Sequence, residues 1–339
     1  MSVWKTLLAT AIHAPSPHNV QPWRIRILAD DRADLLIEKR RTLPKEDITG
    51  SFIILTMGLF IEALRIVARN EGLSLAFELY QSPSEFTPEH IAKTSEDYLP
   101  FAQLTLTNHA GAPDEDSRYD NSLFFTRRTS RVSLLPKPVP PDDVEALSQL
   151  ARDWGQRYAQ VTSPELIEDI LDHNIDALFH DLNSPDYHDE IVEWFRFTDR
   201  QSQRERDGLD YRCMNSSRTS FWLAARFPKL MLLPMVRPML KKIYRRQLGI
   251  VPTIGLLAGP FWEPAAAFET GRFLTHFWLE LAKRNLYLHP YGNLVTNKRA
   301  AEWCRDALGV SDIWLIFKVG FSNEPPKSYR RSVEEVLID

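Results

Sequence analysis

The sequence predicts an α+β chain, and three observations carry that expectation. Segments with apolar residues at helical spacing are interleaved along the chain with short runs that alternate apolar and polar. The first two strand-like runs follow one another directly and read as a pair. An apolar fraction of 44% and a charged fraction of 25% are those of an ordinary globular protein. At 339 residues the chain exceeds the usual single domain, so two domains or one large composite domain are expected.

Taken in order, residues 2–13 read as a helix, and "RIRIL" and "DLLIE" as paired strands. A buried helix follows at "FIILTMGLFIEALRIVARNEG", with Glu62, Arg65 and Arg69 on one face and Gly72 as its stop. Strands "LAFELY" and "FAQLTLT" come next, then a polar, acidic loop at 108–122. The second half opens on "FFTRRTSRV", with helices at 141–155 and 164–182 and the strand "RYAQVTS" between them. A further helix spans about 187–203. The last third holds the strand "TIGLLAG", the helices "FETGRFLTHFWLELAKRN" and "KRAAEWCRDALG", and the strand "DIWLIFKVGF".

Several function classes are disfavoured at once. A net charge of −4 gives no basic footprint for nucleic acid. Cys213 and Cys304 form neither a disulfide framework nor a zinc pattern, which makes a reducing cytoplasm the expected compartment. The opening "MSVWKTLLATAIHA" is too short an apolar run for a signal peptide. The longest charge-free run, Gln247 to Trp262, is broken by three glycines and two prolines, so no transmembrane segment is expected. No GxGxxG follows a strand, and there is no P-loop, GxSxG or HExxH. His173, Asp176 and His180 share a helix face, but no second pair of ligands accompanies them, and no metal site is expected.

The candidate chemistry lies in three stretches. "APSPHNVQPWRIRI" places nine residues of rigid, polar and aromatic character where a plain helix-to-strand connection needs one or two turn residues. "RRTSR" sets Arg127, Thr129 and Arg131 two apart, a pattern that serves either as a phosphate cradle or as a solvated basic turn. "EPPKSYRRSVEEVL" adds Lys327, Arg330 and Arg331, which alone reads as a solvated tail. There is also an internal echo. "GLFIEALRIVARNEGL" and "GRFLTHFWLELAKRNL" are similar helices, each followed by a strand and then an arginine cluster.

The order and spacing of "APSPHNVQPW", "RRTSR" and "GFSNEPPKSYRRSVEEVL" resemble the nitroreductase family of FMN proteins, and within it the single-chain Acg-type branch. "EKRRTLPKEDITGSFIILTMGLFIEAL" and "EWFRF…RERDGL" extend the likeness over most of the chain. The resemblance implies a three-layer α/β/α fold, normally an interlocked homodimer with FMN in the interface. It places the phosphate motif on Arg127, Thr129 and Arg131, with Thr in place of the family's Ser, and the closing arginine on Arg330. The ring-facing backbone falls on Pro290, Tyr291 and Gly292, and the wall against the flavin on Pro15, Ser16, Pro17 and Asn19. Gln21-Pro22-Trp23 would anchor that wall to the first strand. His18 and Tyr291 lie beside these motifs, but no catalytic acid or base is assigned.

Each motif occurs once, so one FMN site can be assembled from the chain and its mirror-related site cannot. A single chain resembling a fused pseudo-dimer is therefore expected, with an N-terminal half at 1–126 and a C-terminal half at 127–339. Residues 212–249, rich in Leu, Met, aromatic and basic residues and broken by Pro228, Pro234 and Pro238, form its oddest segment. A lid over the flavin, a membrane-surface helix and ordinary core are the competing readings. A helical lid inserted at about 204–250 is favoured, because flavin chemistry benefits from excluded water. The implied function is an FMN-dependent oxidoreductase exchanging hydride with a small nitroaromatic, quinone or other oxidisable metabolite, with NAD(P)H as candidate partner. The alternative is an FMN storage protein without turnover. Either a monomer or a homodimer fits.

Overall fold

The computed structural model describes residues 2–109 and 119–339, and most of the acidic loop expected at 108–122 lies outside them. The chain divides into two compact units. One comprises Met1–Arg127, Phe261–Leu279 and Tyr329–Asp339, and the other Arg128–Pro260 and Glu280–Ser328.

In the first unit α1 (Val3–Ala11) buries Trp4, Leu7 and Leu8, one helical face. β1 (Trp23–Ala29) and β2 (Arg32–Glu38) pair antiparallel, as their sequences predict. α2 (Ser51–Asn70) is apolar on almost every face and buried on almost every face. Among the described residues it is the helix long and apolar enough to cross a membrane, but 89% of that stretch is buried inside the protein, as in a core helix. β3 (Leu73–Leu79), α3 (Pro88–Lys93), β4 (Tyr98–Asn108) and α4 (Ser122–Thr126) complete the first run.

In the second unit α5 (Pro141–Asp153), β5 (Arg157–Val161) and α6 (Pro164–Asp181) match expectation, with Pro at the first turn of each helix. The sequence predicts one helix over 187–203, but the structure has two. α7 (Pro185–Glu193) and α8 (Asp199–Glu205) are split by the short strand β6 (Phe195–Arg196), which pairs parallel with β7 (Leu209–Asp210). The break follows from a buried charge. Arg196 turns inward to meet Asp207 at 2.6 Å, and Thr198 starts the next helix by accepting the Gln201 N–H. Residues 212–249 form α9 (Arg218–Arg226), a 3-10 turn at Pro228–Leu232 and α10 (Arg237–Leu248). β8 (Ile254–Ala258) follows.

The remaining chain supplies α11 (Pro264–Lys283), β9 (Tyr287–Pro290), α12 (Asn293–Thr296), α13 (Lys298–Leu308), β10 (Ile313–Gly320), α14 (Val333–Val336) and β11 (Leu337–Ile338). The first unit's sheet has the order β11-β1-β2-β4-β3, antiparallel except for the β11–β1 edge. The second unit's sheet has the order β5-β8-β10-β9 and is antiparallel throughout. Every residue of β8 and β10 is buried, which accounts for their unbroken apolar sequences. The fold class is α+β, as expected.

The echoing helices meet in the first unit. A Cβ on Gly58 of α2 would lie 2.2 Å from the Phe268 carbonyl oxygen of α11, and one on Gly271 would lie 2.1 Å from the Leu55 carbonyl oxygen. The two glycines begin the two echoing segments, and each faces the carbonyl one turn before the other. The contact is therefore reciprocal, as a pseudo-two-fold axis between duplicated helices requires. Glu62 and Arg65, on the charged face of α2, pair at 3.1 Å. Glu62 is fully buried and accepts from His276 at 2.9 Å and Arg272 at 2.7 Å. Burial pushes the Glu62 carboxyl up, but His276, Arg272 and Arg65 outweigh it and hold it at about 2.

Gly58→Ala and Gly271→Ala should each lower stability by about 2 kcal/mol, although alanine favours an isolated helix by about 1 kcal/mol. Denaturant unfolding of the two variants checks this. Unchanged midpoints would mean the helices do not touch.

Candidate functional site

The segment "APSPHNVQPW" lies in the first unit and is held in a costly conformation. His18, Asn19 and Gln21 have φ of 46°, 57° and 52°, left-handed backbone that is cheap only for glycine and tolerable for asparagine. Such residues persist where neighbours over-determine them. Here the Ser16 hydroxyl accepts the Gln21 N–H at 3.0 Å, and the Arg41 guanidinium donates to the Val20 carbonyl at 2.9 Å. Asn19 donates its amide to the Tyr329 carbonyl, and the Gln21 amide oxygen accepts the Arg331 N–H at 2.9 Å. His18 is paired with Glu46. Pro15, Ser16, Pro17 and Asn19 thus form a stiff edge bound to the C-terminal arginine segment, some 310 residues away in sequence. Trp23, fully buried and stacked on Phe60 at 4.6 Å, anchors it to β1 as expected.

The arginines separate by environment. Arg331 is buried against Glu38, which also receives Arg24 and Arg41, so its role is structural. Arg127 is buried with no carboxylate partner among the described residues. One guanidinium nitrogen donates to the His13 carbonyl at 3.2 Å, and the group lies 4.5 Å over the Trp278 ring. Its Nε and second terminal nitrogen have no hydrogen-bond partner. Burial first, and the neighbouring Arg330 second, lower its pKa. A guanidinium does not shed its proton in a protein, so Arg127 holds positive charge that an anion would offset. A small cleft beside Arg127 is lined by Ala14, Pro15, Ala63, Thr275 and Trp278.

In the second unit Thr129 bridges Leu288, and the Ser130 N–H donates to the Leu288 carbonyl at 2.9 Å. The phosphate-type motif therefore runs beside the strand that leads into Pro290, Tyr291 and Gly292. Arg131 donates to the Cys213 carbonyl at 3.2 Å, and its Nε has no hydrogen-bond partner among the described residues. Two residues that the motifs did not single out join it. Lys318, fully buried in the centre of β10, donates to the Val132 and Leu248 carbonyls at 2.7 and 3.2 Å. Burial, then Arg131, pulls its pKa down to about 7. His289 is driven well below its ordinary range by burial, then by Arg131 and Lys318, and is neutral. Tyr291 is buried with a hydroxyl that lacks a hydrogen-bond partner, and a Cβ on Gly292 would meet nothing within 4 Å. Lys318 did carry a signal, as a single cation inside "IWLIFKVG". His173, Asp176 and His180 do not converge. His173 stacks on Trp303, Asp176 pairs with Arg237 and Lys241, and His180 meets Asp181.

Lys318 sets a pH dependence. Its folded pKa of about 7 lies below the ordinary 10.5, so between these values the unfolded chain binds the extra proton. Stability should therefore rise with pH across that window, by up to about 1.4 kcal/mol per unit from this group, and be lost as pH falls towards 7. Denaturant unfolding of Lys318→Met beside the parent at pH 7 and pH 9 should show the parent gaining on the variant at the higher pH. A constant difference would remove the shifted lysine.

No protein-family model matches the chain. A Mycobacterium tuberculosis protein that carries NAD(P)H nitroreductase Acg as a provisional name is 31% identical over 140 residues, 41% of this chain and 37% of the relative. A second protein of that organism with a name of the same kind is 24% identical over 190 residues, 56% of this chain and 50% of the relative. The matches thus span half or less of the relatives' lengths. Among solved structures, the FMN- and NADPH-dependent nitroreductase NfnB of sphigopyxis sp. strain HMH aligns over 64% of this chain and 96% of its own, at 14% identity and a TM-score of 0.38. NfnB of Mycobacterium smegmatis in complex with NADPH aligns over 61% and 92%, at 15% identity and a TM-score of 0.35. At such scores the structural alignments carry no argument, and the relationship rests on sequence: the chain is similar to the Acg-type branch of the nitroreductase family.

Proposed function

We propose that the chain is an FMN-dependent oxidoreductase acting on a small molecule, with Arg127 and Arg330 holding the flavin's phosphate. The observation that carries this reading is Arg127, a buried guanidinium with two unpartnered nitrogens and a second arginine beside it. A terminal phosphate supplies the oxygens and the negative charge that Arg127 lacks among the described residues. The names of the curated relatives support the same class and make NAD(P)H the candidate electron donor.

When bound, FMN supplies hydride transfer through its ring, chemistry that no side chain here provides. The chain's own residues bind, orient and shield. The strained Pro15–Asn19 edge is rigid enough to hold a planar ligand in one orientation. Arg131 and Lys318 place positive charge beside His289, in the strand that leads into Pro290, Tyr291 and Gly292, where it would favour an anionic group.

The purified protein should be yellow and release FMN on heating. Arg127→Ala should weaken FMN binding by about ten- to a hundredfold, the loss of one or two charge-assisted hydrogen bonds. Arg131→Ala should weaken it by a similar factor. Fluorescence titration of added FMN measures both, and unchanged dissociation constants would put the arginines outside the site. The flavin-to-protein ratio should not exceed one per chain, since each motif occurs once. NADPH oxidation with nitroaromatic and quinone acceptors tests turnover. A flavin-loaded protein that turns none over would be a store rather than an enzyme.

A further inference from the structure

The segment from α9 to α10 presents a surface that the proposed flavin chemistry does not use. Between Asp210 and Glu263 the chain has no acidic residue at all. Nine of the fifteen exposed large hydrophobic side chains of the described residues fall between Trp222 and Ile243. They include those of the connection between α9 and α10, where Leu230, Leu232, Leu233 and Met235 are exposed, Met235 to 94%. Met239 and Ile243 continue the surface one turn apart along α10.

These side chains are not the ones that pack inward. Phe221, Ala225 and Met231 pack into the second unit's own core with Ile175, Phe179 and Phe195, and Leu240 and Tyr244 pack against the same cluster. The exposed ones lie outside that cluster, and exposed apolar side chains grouped in one segment mark a docking surface.

The charges around it identify the partner. Arg218, Arg237, Lys241 and Arg245 are neutralised by Asp199, Asp176 and Glu168 of the same unit and do not count towards it. Arg226, Lys229, Lys242 and Arg246 are exposed and make no ion pair among the described residues. Lys242 and Arg246 stand one turn apart on α10, beside Met239 and Ile243, while Arg226 ends α9 and Lys229 lies in the connection. An isologous contact with a second copy would set these cations against themselves with no acid in the segment to answer them. A surface with apolar side chains at its centre, unpaired cations at its edge and no acids matches an anionic bilayer, which takes the apolar groups at the headgroup boundary and the cations at the phosphates.

We propose that residues 222–246 dock the protein onto anionic phospholipid membranes, with Leu230–Met235 entering the interface and Arg226, Lys229, Lys242 and Arg246 meeting headgroup phosphates. The protein lies on the membrane and does not span it.

Flotation of the full-length protein with two kinds of vesicle tests this. One is phosphatidylcholine alone, and the other is equal parts phosphatidylcholine and phosphatidylglycerol. The protein should float with the second and stay behind with the first, and high salt should release it. Leu233→Ser with Met235→Ser, and separately Lys229→Glu with Lys242→Glu, should each lower partitioning by about tenfold or more. Circular dichroism and FMN content of the variants should match the parent, which separates lost docking from lost folding. Flotation with neither vesicle, or equally with both, would overturn the proposal. So would a dimer by light scattering that the Leu233→Ser, Met235→Ser variant dissolves, because the face would then belong to a second copy.

Discussion

Two glycines let the backbones of α2 and α11 touch, and much of the first unit follows from that contact. With the carbonyls of Leu55 and Phe268 pressed against Gly58 and Gly271, the side chains one turn further on have no route to solvent. Glu62 must therefore find its counter-charges on the opposite helix, in His276 and Arg272. The Thr275 hydroxyl donates to the Leu59 carbonyl for the same reason. Another turn along, the same geometry delivers Trp278 beneath the Arg127 guanidinium. A glycine inside a helix costs about 1 kcal/mol relative to alanine. Here the close approach and the packing it permits offset that cost.

Buried arginines in this unit meet two fates, and the difference separates scaffold from site. Arg24, Arg41 and Arg331 converge on the buried Glu38, and Arg24 and Arg331 also donate to the Glu335 carbonyl. That network ties the C-terminal segment to β1 and β2 and so holds the strained Pro15–Asn19 edge. Arg127 has a ring and a carbonyl but no carboxylate. Removing a charge from water without a counter-ion is among the larger penalties a fold can carry. An external anion at Arg127, as proposed, would offset that penalty.

In the second unit the corresponding exception is Lys318, the one cation of a strand whose every residue is buried. Its ammonium is satisfied by the carbonyls of Val132, next to Arg131, and of Leu248, the last residue of α10. Asn215 and Gln247 tie the base of that segment together, the asparagine donating to the Arg131 and Gln247 carbonyls and the glutamine to the Met214 and Asn215 carbonyls. The base is thus fixed polar structure around Arg131, while the connection between α9 and α10 carries exposed apolar side chains.

Most helices and strands were legible because their apolar residues repeat at the period of the element, and a period is a local property. The Pro-Ser segment was legible as a rigid connection as well, since strained turns demand particular residue types in order. What failed was whatever depended on a distant partner. The helix expected over 187–203 broke because Arg196 finds Asp207, and the burial of Glu62 against His276, 214 residues away, had no local sign. Lys318 and His289 came beside Arg131 only once β9 and β10 were paired. The sequence by itself determined which segments are helix and strand and which motifs are candidates for the chemistry. The tertiary structure alone decided which charges are buried and with whom, because burial and counter-charge belong to neighbours in space.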